Sequence, residues 1–361
     1  MRLAILLEQA LAPVPGGTGR YSIELAAALV RTAAASDTVH SWTAWHRDLS
    51  PAVVAGVRGP SRLPSPRRAL TVAWERDLGP APRGVDVLHA PTLLFPPRRQ
   101  PLVVTLHDTV PWTHPETLTP RGARWHRTMA ARAAQRADAI AVPTHAVANE
   151  LVEVLPGLSP DRIHVLGGGV ARALLDVPGD LGLVGLPDGF ILSLATLEPR
   201  KGLDVLIAAL GRMGDKAPAL VIAGQPGWGR VDLARAADAA GVRDVRALGR
   251  LTDAELGVIL RRARVLVAPS RAEGFGLPVA EAMAVGTPVI CSDIPALAEV
   301  AGDAAVLVPV GDPAALAEAL ADLLGDEAAL RKLGEAGLAR AARYDWDAVA
   351  RRAWDVYRSV A

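Results

Sequence analysis

Along most of this chain, apolar residues come in short unbroken runs, separated by longer segments where they recur every three or four positions. The runs at 2–7 (RLAILL), 85–89 (VDVLH), 102–106 (LVVTL), 139–143 (AIAVP) and 163–166 (IHVL) are too short for helices. A second series follows at 190–195 (FILSLA), 219–223 (ALVIA), 245–248 (VRAL), 265–268 (VLVA), 288–291 (PVIC) and 305–308 (AVLV). Between them lie Ala-, Leu- and Arg-rich segments of helical length, among them 20–33, 121–136, 203–212, 253–263, 278–285 and 313–324. Apolar strands alternating with helices predict parallel sheets covered on both faces. Right-handed crossovers then give doubly wound α/β domains, which bind ligands beyond the carboxyl ends of their strands.

Two such series predict two Rossmann-like domains. Gly and Pro cluster without periodicity over 177–189 (VPGDLGLVGLPDG), which sets an N-terminal domain at 1–178, a linker at 179–189 and a C-terminal domain at 190–344. The segment 345–361 forms a last helix: Asp345 suits its N-cap, and Trp346, Ala350, Ala353, Trp354 and Tyr357 share one stripe. Residues 59–84 read as an irregular surface excursion of the first domain. A cleft between two sheets is the default place for a ligand.

Composition narrows the class. Half the residues are apolar and 21% are charged, as in soluble globular proteins. The formal charge is +1, but 1–178 hold 19 arginines and no lysine against 14 acids, while 179–361 hold 20 basic residues against 24 acids. The basic surplus of the first half suits an anionic partner or a membrane surface, and equally a plain solvated surface. Nucleic acid is not expected as a partner. The single cysteine, Cys291, rules out an internal disulfide and sits in an apolar run (PVICSD), so it reads as a core thiol, and a cytosolic setting fits. The opening MRLAILLEQ does not read as a secretory leader, and no uncharged apolar run approaches the ~18 residues needed to span a bilayer. With 36 arginines and only three lysines, each lysine draws notice.

Candidate chemistry concentrates in the second half. In EGFGLPVAEAMAVGTPVICSD (273–293), Glu273 and Glu281 stand eight positions apart, the first among glycines and the second inside an apolar helix. Pro278 suits the start of that helix. The amides of Gly276 and Leu277 would therefore face a ligand from a helix N-terminus, equivalent to about half a positive charge. Gly274 and Gly276 permit close approach, and the two carboxylates could accept hydrogen bonds from hydroxyls. An anion pocket flanked by hydroxyl acceptors fits a sugar or nucleoside phosphate. The plainer alternative has Glu281 serving the helix dipole and Glu273 in solvent. In LATLEPRKGLDVLIAAL (194–210), Arg200 and Lys201 fall on a strand-to-helix loop, where they could neutralise a diphosphate or form an ordinary surface pair.

The first half is less specific. PVPGGTGRYSIEL (13–25) follows the first strand, but the glycines come too late for the dinucleotide fingerprint and the later acid is missing, which argues against a nicotinamide cofactor. They suit a flexible loop closing over phosphate. His107 and Asp108 end the strand VVTLHD as a proton-transfer dyad, a weak metal site or simple packing; His89 and His114 add no metal spacing. Arg121, Arg124, Arg127, Arg132 and Arg136 punctuate one helix, either as a solvated face or as a grip on an anionic lipid.

Taken together, these segments resemble the family-4 retaining nucleotide-sugar glycosyltransferases of the two-domain GT-B architecture, nearest in TLEPRK and GQPGW to mannosyl- and rhamnosyl-type members. The resemblance rests on Gly16-Gly17, His107-Asp108, Thr196 to Gly202, Gly224 to Trp228, LGRLTDAEL from Leu248 to Leu256, and the glutamate block. It implies that the last helix crosses back to the N-terminal domain. It implies donor-sugar contact for Glu273, ribose contact for Glu281, and a diphosphate held by Arg200, Lys201, the Gly274-Phe275-Gly276-Leu277 turn and the Gly17 loop. Leu248, Arg250 and Leu251 would frame the base, Gly224 would border the donor, and His107 would meet the sugar from the N-terminal side. Thr196 departs from the family pattern, which often has arginine there, and leaves Arg200 to supply that charge. The resemblance further implies transfer of a hexose with retention, no cofactor and no metal. The donor would be a nucleoside-diphosphate sugar of GDP-mannose type, and the acceptor a glycan, a lipid-linked or a small-molecule one. A sugar-nucleotide epimerase, a phosphorylase and a non-catalytic sugar-nucleotide binder are the competing readings. The expected location is cytoplasmic, with peripheral contact at the inner membrane face left open.

Overall fold

The structure, a computed structural model, describes residues 1–176, 185–229 and 231–361. The chain forms two compact units, Met1–Gly168 with Asp345–Ala361, and Gly169–Tyr344. Of the linker expected at 179–189, residues 179–184 lie outside the described residues. Within the described part, Val170 N–H donates to the Tyr344 carbonyl and Leu174 is fully buried in the second unit's core, so the second unit begins at Gly169.

The first unit holds seven strands: β1 (Arg2–Leu6), β2 (Thr38–Thr43), β3 (Arg58–Arg62), β4 (Val87–Ala90), β5 (Leu102–Thr105), β6 (Ala139–Val142) and β7 (Ile163–Val165). All pair in parallel in the order β3-β2-β1-β4-β5-β6-β7. The order reverses between β1 and β4, the switch point at which doubly wound sheets bind ligands. Its helices before the crossing are α1 (Gly16–Arg31), α2 (Arg67–Trp74), α3 (Val110–Thr113), α4 (Pro120–Arg136) and α5 (His145–Val154).

Segment 59–84 corrects the sequence expectation, because it contains most of edge strand β3 and all of α2. Leu70 and Trp74 are each 1% exposed, and the Trp74 indole donates to the Pro80 carbonyl, so this stretch closes one face of the sheet. Its signal was masked by Pro, which sits readily at sheet edges and helix starts, and by the many Arg residues that dilute its apolar positions. A second correction concerns the early glycines. Gly16 and Gly17 are the first residues of α1, not a loop, and a Cβ on Gly19 would lie 2.6 Å from Pro15 Cβ, so that turn is packed.

The second unit carries β8 (Ile191–Leu194), β9 (Leu220–Ala223), β10 (Val245–Gly249), β11 (Val265–Ala268), β12 (Val289–Ser292) and β13 (Val306–Val308) in the parallel order β10-β9-β8-β11-β12-β13. Its helices are α6 (Arg172–Leu175), α7 (Leu203–Met213), α8 (Leu233–Ala240), α9 (Asp253–Arg262), α10 (Leu277–Ala284), α11 (Pro295–Ala301), α12 (Pro313–Gly325) and α13 (Glu327–Ala341). Alternate strand residues serve opposite cores. Leu192, Val221, Leu266 and Val289 join one apolar cluster, while Ile191, Ile222, Val267 and Ile290 join the other. That two-sided burial is why the strands read as unbroken apolar runs. Cys291 belongs to the first of these clusters, and burial pushes its thiol up to about 12.

The last helix, α14 (Trp346–Val360), is N-capped by Asp345 and belongs to the first unit. Its stripe of Trp346, Ala350, Ala353, Trp354 and Tyr357 is buried, and the Trp354 indole donates to the Leu29 carbonyl on α1.

Candidate functional site

The carboxyl edge of the second sheet is assembled from two loops drawn together by glycine. After β8, the chain makes a 3-10 turn at Pro199–Lys201 and reaches Gly202 at φ 65°. A Cβ on Gly202 would stand 2.0 Å from the Pro269 carbonyl oxygen, so only glycine lets this turn touch the loop that follows β11. The two loops are then laced. Arg271 N–H donates to the Arg200 carbonyl (2.8 Å), Arg200 donates to the Ala272 carbonyl (2.9 Å), and Arg271 donates to the Pro199 carbonyl (2.7 Å) and pairs with Asp204.

At the seam sits Glu273. Lys201 Nζ donates to its Oε1 at 2.5 Å, Arg200 donates to its Oε2 at 3.1 Å, and the Ser270 hydroxyl donates to Oε1 at 2.8 Å. Burial would push this carboxyl up, but the Lys201 ammonium and the Arg200 guanidinium outweigh it and hold the group down at about 2. Arg200 is shared, since it also donates to Glu198 at 2.7 Å. The sequence reading gave the cations to a diphosphate and Glu273 to a sugar as separate contacts. The structure joins them in one ion-pair cluster, with side chains only 12–17% exposed.

Beside the cluster, Gly276 caps α10 with φ 90°, a left-handed conformation open to glycine. Leu277 and Pro278 are the first two residues of the helix, and among the described residues the Gly276 and Leu277 amides donate to no protein acceptor. Lys201, Ser193, Ser270, Glu273, Gly276 and Pro278 line one small pocket. A cation, a carboxylate and a helix N-terminus thus converge within a few ångströms. Glu281 lies further along α10 and is 2% exposed.

The other expected donor residues form the neighbouring rim. Leu197 N–H donates to the Gln225 carbonyl (3.0 Å), Gly227 N–H to the Leu197 carbonyl (3.2 Å), and Gly224 N–H to the Gly249 carbonyl (2.8 Å). A Cβ on Gly224 would fall 1.8 Å from the Ala195 carbonyl oxygen, and one on Gly227 would fall 2.7 Å from the Thr196 methyl. The ends of β8, β9 and β10 are therefore tied in series. Leu248, Leu251 and Phe275 rest partly buried on the core, and Phe275 meets Tyr344 edge-on at 5.5 Å. Arg250 is exposed. Ser270, Glu198 and the Arg271–Asp204 pair were given no role in the sequence reading, although Glu198 and Asp204 lie within the quoted 194–210 segment, and Gly202 entered it only as the end of the Thr196–Gly202 motif.

The family pattern described as Glycosyltransferase Family 4 matches residues 15–173, and that described as Glycosyl transferases group 1 matches residues 185–340. The chain belongs to glycosyltransferase family 4. It is 36% identical over 215 residues to a phosphatidyl-myo-inositol mannosyltransferase of Mycobacterium leprae, covering 57% of this chain and 56% of that protein. It is likewise 36% identical over 224 residues to a D-inositol 3-phosphate glycosyltransferase of Streptomyces bingchenggensis, covering 58% and 48%. The match thus spans about half the length of these curated relatives. Among solved structures, the sucrose-phosphate synthase of Thermosynechococcus elongatus superposes with a TM-score of 0.80 at 22% identity, covering 99% and 98% of the two chains. Anabaena HepE in complex with UDP-glucose does so with a TM-score of 0.76 at 18% identity, covering 99% and 100%. The fold is GT-B, with two Rossmann-like domains.

In the first domain of this family-4 protein, His107 ends the extended run after β5. Its Nε2 donates to the Pro91 carbonyl (2.8 Å), which leaves Nδ1 as the acceptor of the neutral ring, and Tyr21 packs edge-on at 4.9 Å. Burial pushes the His107 imidazole down, against the Pro91 bond and the Asp108 charge. Asp108 itself accepts from Val110 N–H, so the two form no hydrogen-bonded dyad. His89 is fully buried between the Tyr357 hydroxyl (2.6 Å) and Thr105 (2.8 Å), a packed histidine held down at about 3 by burial and by His107. The arginine row on α4 is partly spent internally: Arg127 donates to Pro111, Arg132 to the Trp74 carbonyl and Asp77, and Arg136 pairs with Asp77. No group of three or more metal-ligating side chains occurs among the described residues. Among them, no helix is long and apolar enough to cross a membrane.

Proposed function

We propose that this protein transfers a hexose from a nucleoside-diphosphate sugar to a hydroxyl acceptor, and that its second domain binds the donor. The carrying observation is the pocket that the paired Lys201 and Glu273 share with Gly276 and Pro278 at the start of α10. When the anomeric carbon parts from the nucleoside diphosphate, negative charge grows on the leaving oxygens. Fixed amide dipoles and the Lys201 ammonium would meet that charge in place, with Arg200 behind them. Glu273, ionised at neutral pH, only accepts hydrogen bonds, which suits donor-sugar hydroxyls. In this reading it is a positioning group and not a nucleophile, and the fixed cations supply what a metal could supply elsewhere.

Retention follows if the acceptor oxygen attacks from the leaving-group face. The C1–O(phosphate) bond breaks, the C1–O(acceptor) bond forms, and the acceptor proton passes to the departing phosphate oxygen. Glu281 would reach the ribose, Leu248, Arg250 and Leu251 the base, and Gly224 and Thr196 the donor's border; His107, Gly16 and Gly17 would serve from the first domain. A GDP-mannose-type donor is favoured by relatives named as mannosyltransferases, while solved neighbours hold UDP or UDP-glucose. The relatives' names favour a glycan, lipid-linked or cyclitol acceptor. Cytoplasmic work, with or without peripheral membrane contact, fits such acceptors. Nucleoside diphosphate release from GDP-mannose and UDP-glucose, with and without EDTA and across an acceptor panel, tests the reading. Release that survives EDTA and collapses in K201A supports it; no release or transfer from either donor overturns it.

A further inference from the structure

The pair between Lys201 and Glu273 joins two loops, and one side chain outside their pocket ties both loops down. Arg271 lies on the loop after β11, two residues before Glu273. Its backbone N–H donates to the Arg200 carbonyl at 2.8 Å, and its Nη1 donates to the Pro199 carbonyl at 2.7 Å. The same guanidinium grips Asp204 with two bonds, Nη1 to Oδ1 at 2.9 Å and Nη2 to Oδ2 at 2.6 Å. In return, Arg200 donates to the Ala272 carbonyl at 2.9 Å. These bonds hold the backbone just before Lys201 and just before Glu273.

Asp204 supplies a fixed anchor. It is the second residue of α7, whose Leu203, Val205 and Leu206 are buried, so the core holds that first turn in place. The 3-10 turn Pro199–Lys201, by contrast, buries none of its residues. Packing does not fix such a turn, and its hydrogen bonds must. A guanidinium fork on a carboxylate sets orientation as well as distance, which a lysine ammonium does not. The Asp204 side chain is 62% exposed and that of Arg271 28%, so the ion pair adds little to global stability. Neither residue lines the pocket that Lys201 and Glu273 share.

We propose that Arg271, gripped by Asp204, is a positioning residue: it sets the turn that carries Arg200 and Lys201 against Glu273, and so aims both cations at the leaving group. Its use in transfer rests on the transferase reading; the brace itself does not.

The test uses the full chain as wild type, R271A, R271K, D204A and D204E. The Glu273 carboxyl is followed by 13C NMR in glutamate-labelled protein, its signal identified by loss in E273Q. In the wild type it stays ionised down to pH ~3. In R271A and R271K its midpoint rises by at least ~1 pH unit toward the ordinary 4.5, because the cations are no longer held on it. Nucleoside diphosphate release from GDP-mannose and UDP-glucose, on the same proteins, falls at least ~10-fold in kcat, with donor KM within ~3-fold. R271K keeps the charge, so its loss marks geometry. D204A moves both readouts in the same direction, and D204E, which retains the carboxylate, restores them. A merely structural role would lower the melting temperature without moving the Glu273 midpoint. Asp204 is exposed, so D204A against D204E decides the matter should R271A fail to fold. An unmoved midpoint in folded R271A, R271K or D204A overturns the brace, and a moved midpoint with unchanged kcat overturns its role in transfer. A moved midpoint with no release from either donor, wild type included, leaves the brace standing and removes the transferase reading.

Discussion

Lys201 Nζ and Glu273 Oε1 lie 2.5 Å apart, joining the loop after β8 to the loop after β11, with Arg200 on the other carboxylate oxygen. Breaking this pair leaves a charge with less compensation in a site that is largely out of water. K201A is expected to lower donor turnover by ~10²–10³-fold, the scale of losing one stabiliser of transition-state charge. E273Q, which keeps shape and loses charge, is expected to raise the donor KM and lower kcat together. A double variant, K201M/E273Q, should recover stability over either single change without recovering activity, because it removes both charges at once. Denaturant melts and steady-state kinetics on the same four proteins read both effects. Near-normal turnover in K201A and E273Q would remove the pair from the site.

The depressed Glu273 carboxyl sets an acid limit. Its unfolded value lies near 4.5 and its folded value at about 2, so its stabilisation is fully present above pH ~4.5 and is lost as pH falls toward 2. Urea midpoints measured from pH 6 to 3 should fall less steeply in E273Q than in the wild type below pH ~4.5. Parallel curves would contradict the ionised, paired state.

His89 acts over a different window. Burial holds it neutral in the fold, with a value of about 3 against 6.5 unfolded. Its contribution is therefore intact above pH ~6.5 and declines as pH falls through the interval down to about 3. One such group steepens the curve by up to ~1.4 kcal/mol per pH unit. H89N should be less stable than wild type at pH 7, by ~1–3 kcal/mol for the disturbed Thr105 and Tyr357 bonds. It should also show a shallower slope between pH 6.5 and 4. An unchanged slope would argue against a neutral His89.

Two glycines hold the site's shape, and they should fail differently. At Gly202 an added Cβ meets a backbone oxygen at 2.0 Å, whereas at Gly276 it meets the flexible end of Leu297 at 2.3 Å. Both also have positive φ. G202A should therefore destabilise more than G276A, by ~1–3 kcal/mol beyond it. L297A should relieve part of the G276A defect and none of the G202A defect. Thermal melts of six proteins (wild type, the three single variants and the two doubles with L297A) decide this.

How far the sequence could be read follows from where each signal comes from. Strands such as β11 and β12 face apolar cores on both sides, so composition alone marks them nearly to the residue. Strand β3 and helix α2 carry their information in a few positions, Leu70 and Trp74, diluted by surrounding Pro and Arg. Glu273, Arg200 and Lys201 were legible as charges at strand ends. Their mutual pairing was not, because it depends on Gly202 permitting contact with Pro269. The Arg271–Asp204 fork was hidden for a similar reason: its partners follow different strands, 67 residues apart.

Helix α14 completes the first core although the whole of the second unit lies between it and Gly168. Tyr357 reaches back 268 residues to His89, and Trp354 reaches back 325 to Leu29. During synthesis the second unit has all its strands before the first unit has its last helix. The first unit is therefore expected to close last although its sheet is made first, because the helix that packs on α1 is absent until residues 345–361 emerge. A ribosome-stalled chain ending at Tyr344 should show a protease-resistant second unit beside a susceptible first one. A defect that slows synthesis of the second unit is expected to delay closure of the first, whose last helix lies beyond it in the chain.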